Sequence, residues 1–181
     1  YDPFEYLWVK EGAAGLSEFM SYGDSQQLEE KANSWTQNST TSLRWWDGRT
    51  PDMGSSFLFL TYLSDKLGGS MGIQQLISNP SLGGNGIENL ARNPGPGSTP
   101  IGLTMSEIFA NFSAAITLDS DQGAFGFSEI DLLDDCSSGG FCRGVASAEN
   151  NDWTETWQSS GHSLEGWGLK SFRFSGGDGY P

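Results

Sequence analysis

Gly54-Ser55-Ser56-Phe57-Leu58-Phe59-Leu60-Thr61-Tyr62-Leu63-Ser64-Asp65-Lys66-Leu67-Gly68 decides the fold class. Phe57, Leu58, Phe59, Leu60, Tyr62, Leu63 and Leu67 leave almost no polar face at helical spacing. A helix of this kind has to be surrounded, so 54–68 predicts the central member of a helical bundle. Gly68-Gly69 supplies its stop.

The neighbouring segments read as the helices that surround it. Upstream, Phe4 to Tyr22 carries apolar residues at 4, 7, 8, 13, 14, 16, 19 and 20, a broad helical stripe. Gly12 and Gly15 cost helix propensity and permit close backbone approach. Asp24, with Gln27 three residues on, predicts the cap of a second helix reaching Trp35. Residues 36–53 hold Asn-Ser-Thr, Trp45-Trp46-Asp47-Gly48 and Thr50-Pro51-Asp52, and read as a loop. Downstream, Met71 to Ile77 reads as a short helix stopped by Asn79-Pro80. Asn85 with Glu88 predicts a capped helix through Ala91, and 93–100 is a loop. Thr104 with Glu107 is a capping box opening a helix that buries Met105, Ile108, Phe109, Phe112, Ala115 and Ile116.

After Asp119 the periodicity fades, and the chain divides there into 1–119, helical, and 120–181, acidic, Gly-rich and partly β. Phe125, Phe127 and Ile130 alternate weakly, while Leu169, Phe172 and Phe174 predict a strand. The charge is uneven as well: 119–181 carries 11 acids against 3 bases. The whole chain of 181 residues has 23 acidic and 9 basic residues, a net charge of -14. Nucleic acid and anionic membrane surfaces are poor partners for such a chain, because phosphate binding needs clustered Lys and Arg. No apolar run is long enough to span a bilayer. The aromatic share of 13% is enough for a packed core. Twenty-five glycines predict many loops.

Cys136 and Cys142 flank Ser-Ser-Gly-Gly-Phe, a spacer short and pliable enough for a disulfide. Two free thiols or half a metal site are the alternatives, although no histidine lies nearby. With little Lys and much Ser, Thr, Asn and Gly, the pair points to an extracellular or cell-surface protein. Asn38-Ser39-Thr40 and Asn111-Phe112-Ser113 match the glycosylation sequon. Asp131, Asp134 and Asp135 are candidate Ca2+ ligands, with a solvated acidic loop as the alternative. His162, the single histidine, reads as an exposed loop residue, and no nucleophile elbow or phosphate-binding Gly loop is present.

Glu11 is the residue most suggestive of chemistry. It lies among small and apolar residues in Trp8-Val9-Lys10-Glu11-Gly12-Ala13-Ala14-Gly15-Leu16-Ser17-Glu18, and a carboxylate buried there needs a cation or a hydrogen-bond network. This Trp-x-x-Glu-Gly-x-Ala-x-x-x-Glu pattern resembles the third-ligand helix of gluzincin zinc metallopeptidases, particularly the hyicolysin-like ones. Residues 52–68, Gly86-Ile87-Glu88-Asn89-Leu90 and the 108–115 helix resemble later segments of that family, in the same order. Residues 163–174 are similar to the start of its β-rich region. The likeness covers 1–119 well and the rest loosely.

The resemblance implies a mainly α helical lobe of a gluzincin-type metallopeptidase, followed by the Gly-rich, partly β segment. It implies Zn2+ bound by Glu11 together with ligands outside this chain. Glu18 would act from beside the site or face solvent. In that family His-Glu-x-x-His supplies two ligands and the general base. No such motif occurs here, and Met53 stands where the family commonly has Tyr. The expected role is therefore the C-terminal portion of a secreted peptidase, inactive without the upstream segment. A missing N-terminal half or another polypeptide is the expected partner, and peptide the substrate of the intact parent. An apolar patch along Phe4–Phe19, including Leu7, Trp8, Ala14 and Leu16, is expected unless 120–181 folds over it. The alternative is a non-catalytic extracellular structural or binding module, with Trp35, Trp45, Trp46, Trp153, Trp157 and Trp167 as contact residues.

Overall fold

The structure, a computed structural model, describes residues 5–37, 41–97, 100–120, 123–144, 149–152 and 172–175. The helices are α1 (Leu7–Tyr22), α2 (Gln26–Thr36), α3 (Thr50–Leu67), α4 (Ser70–Ile77), α5 (Gly83–Arg92) and α6 (Met105–Leu118). A single 3-10 turn follows at Gly123–Phe125, then the short strands β1 (Leu132–Leu133), β2 (Phe141–Cys142), β3 (Glu149–Asp152) and β4 (Phe172–Ser175). β1 pairs with β2 and β3 with β4, both parallel. The chain is thus a mainly α bundle followed by a small β part. The expected strand at Phe172 and Phe174 is present as β4, whereas Leu169 lies outside the described residues.

α3 is the axis of the bundle, as its composition requires. Phe57, Leu58, Phe59, Leu60, Leu63 and Leu67 are buried, together with Ser55, Ser56, Thr61 and Ser64. α1 and α2 pack along it, and glycine makes both approaches possible. A Cβ on Gly12 would lie 2.5 Å from the Ser56 carbonyl oxygen. A Cβ on Gly54 would overlap the Lys31 carbonyl oxygen of α2 and lie 2.5 Å from its carbonyl carbon. Neighbouring helices at this separation tolerate no side chain between their backbones.

Helix starts differ from the expected ones in instructive ways. α3 begins at Thr50 rather than Gly54: Pro51 fits the first turn, and the Asp52 carboxylate accepts the Arg49 backbone N–H at 2.9 Å. α2 is capped by Ser25 rather than Asp24, its hydroxyl accepting from Leu28 N at 3.2 Å. Asn85 does not cap α5, which starts at Gly83. Glu88 instead accepts the Met105 N–H at 3.1 Å and pairs with Arg92 at 2.6 Å. The Thr104–Glu107 box at α6 forms as expected, and the Thr104 N–H holds the exposed Glu107 carboxyl below its ordinary pKa.

The residues after α6 join the same core. Asp119, at positive φ, ends α6 and accepts the N–H groups of Phe127 and Leu132. Phe127 packs edge-on against Tyr62 at 5.8 Å, and Phe141 lies 5.7 Å from Phe57 and 6.3 Å from Phe19. Asn33 of α2 works as a stand-in for a strand edge. Its amide donates to Gly140 O at 2.9 Å and accepts Cys142 N–H at 2.7 Å. Cys136 and Cys142 form the disulfide, with Cα atoms 5.6 Å apart.

Candidate functional site

α1 has two faces of opposite character. Trp8, Val9, Gly12, Ala13 and Leu16 are buried against α3. Leu7, Glu11 and Ala14 are exposed on the other side, and Leu7 keeps 47% of its surface open. The expected apolar patch is therefore divided. Trp8 and Leu16 are buried within this chain, Trp8 beside Phe59 at 5.9 Å, while Leu7 and Ala14 remain uncovered by the described residues. The periodicity identified a broad stripe. Only packing shows that α3 takes one half of it.

Glu11 is accordingly a solvent-facing carboxylate rather than one buried among small residues. Glu18, two turns along and half-buried, accepts the hydroxyl of Ser25 at 3.2 Å, so it ties the end of α1 to the cap of α2. Among the described residues, no three His, Cys, Asp or Glu side chains converge as a metal site. A single carboxylate does not hold Zn2+, which takes three protein ligands in catalytic sites. The described residues thus assemble no three-ligand site around Glu11.

The remaining sequence candidates are dispersed. Asp131 is exposed, Asp134 meets the Arg143 guanidinium at 3.3 Å, and Asp135 accepts the Ser137 backbone N–H, which lowers its pKa. A cleft of about 390 Å³ beside them is lined by Asp119, Phe127, Ser128, Glu129, Ile130 and Asp131. Trp35 is fully buried, stacked on Phe112 at 5.6 Å, and Trp46 is half-buried. Trp45 is 69% exposed. Asn111 is half-buried on α6. His162, Trp153, Trp157, Trp167 and Asn38 lie outside the described residues.

Sequence reasoning missed the two best-embedded carboxylates. Asp52, 1% exposed, accepts N–H groups from Asp47 at 3.1 Å and Arg49 at 2.9 Å and pairs with the Arg49 guanidinium. Its signal was available, since Pro followed by Asp is a first-turn pattern. Glu5 is buried where α5 begins and accepts Gly83 N–H at 2.8 Å and Tyr6 N–H at 2.6 Å. It stabilises the positive end of that helix, a long-range contact with no local signature. No protein-family model matches the chain, and no curated protein matches it.

Proposed function

We propose that these residues form the helical lobe of a secreted zinc peptidase of gluzincin type, to which α1 contributes the carboxylate ligand Glu11. The observation that carries this reading is the division of α1. Trp8 and Gly12 of Trp-x-x-Glu-Gly-x-Ala anchor on α3, while Glu11 and Ala14 of the same pattern face away from the bundle. Glu11 is accessible there to a second segment, which would have to supply every other zinc ligand. The two histidines and the general base would come from outside this chain, which has a single histidine, covering Leu7 and Ala14 as they approach. Peptide is the substrate class on this reading. The disulfide fits an oxidising compartment.

The test is the zinc content of the native protein that contains this chain, purified without chelator, before and after Glu11→Ala. Stoichiometric zinc that disappears in the variant supports ligation. Wild type without zinc overturns it. Because Glu11 is exposed, its replacement should leave folding stability within about 0.5 kcal/mol, so lost metal cannot be ascribed to unfolding.

A non-catalytic extracellular binding module is the second reading, favoured by the exposed Trp45 on a firmly held loop. Absence of zinc together with ligand binding through that loop would select it.

A further inference from the structure

We draw no further inference here: the strongest candidate, the apolar cleft of about 300 Å³ between α3, α6 and the 3-10 turn, lined by Tyr62, Ile101, Leu103, Ile108 and Asn111, carries nothing, because nothing in the structure shows what covers it.

Discussion

Replacing Gly54 by Ala tests the helix packing at its tightest point. In most helices this change is favourable by about 1 kcal/mol, since Ala is the best helix former. Here the new Cβ would overlap the Lys31 carbonyl oxygen and lie 2.5 Å from the carbonyl carbon and 3.0 Å from Ala32 N. All three are backbone atoms of α2, so no rotamer change relieves the contact. Bringing the carbonyl carbon to an ordinary 3.4 Å moves α2 from α3 by at least 0.9 Å. That shift would strain the buried contacts of Leu28, Ala32 and Trp35, and the Asn33 bridge to β2. Overpacking costs about 1–3 kcal/mol and occasionally more, and a backbone clash belongs at the upper end. Less the propensity gain, the expected net loss is about 2 kcal/mol. In a chain of this size that lowers the melting temperature by roughly 4–8 °C. Gly15→Ala is the control, since the atoms nearest its Cβ all belong to the Phe57 side chain, the first at 3.3 Å. It should be neutral or slightly stabilising, with Gly12→Ala between the two. Thermal unfolding followed by circular dichroism measures all three. A Gly54→Ala protein melting at or above wild type would refute the packing argument.

Asp52→Ala leaves two backbone N–H groups and Arg49 without their acceptor; a loss of about 2–3 kcal/mol in urea unfolding is expected, with Asp52→Asn retaining part of it. Burial, and secondarily the charge of Asp65, pushes the Tyr62 phenol up to about 12, and its hydroxyl donates to Ala124 O at 2.7 Å. The unfolded chain ionises near 10, so this stability is fully present below pH 10 and is lost as pH rises towards 12. Tyr62→Phe should flatten that alkaline fall, and an unaltered slope would contradict the assignment. Reducing the Cys136–Cys142 bridge should cost about 2 kcal/mol by loop entropy, and thiol titration of the denatured, unreduced protein should find none.

How far the sequence could be read depended on the range of the interaction. Helix identity and order were legible because helical periodicity and the Thr104–Glu107 box act within a turn or two. The start of α3 was misplaced because Thr-Pro-Asp suits both a loop and a first turn. Only the buried Asp52 carboxylate, already paired, distinguishes them. For the candidate site, the pattern around Glu11 was legible but not the direction of its side chain. A broad apolar stripe does not say which half another helix will cover.

The sequence by itself determined an α-rich chain with a central helix apolar on nearly every side, an excess of acidic residues and two cysteines close enough to join. Its local patterns carry that information, through backbone propensity and side-chain period. The tertiary structure alone decided that Gly12 and Gly54 are the crossing points of the bundle, that Asn33 borrows the edge of β2, and that Glu5 caps α5. It also decided that Glu11 and Trp45 face out while Trp8 and Trp35 face in. Each of these depends on which surfaces meet across dozens of residues, and burial is assigned by that meeting rather than by the residue type.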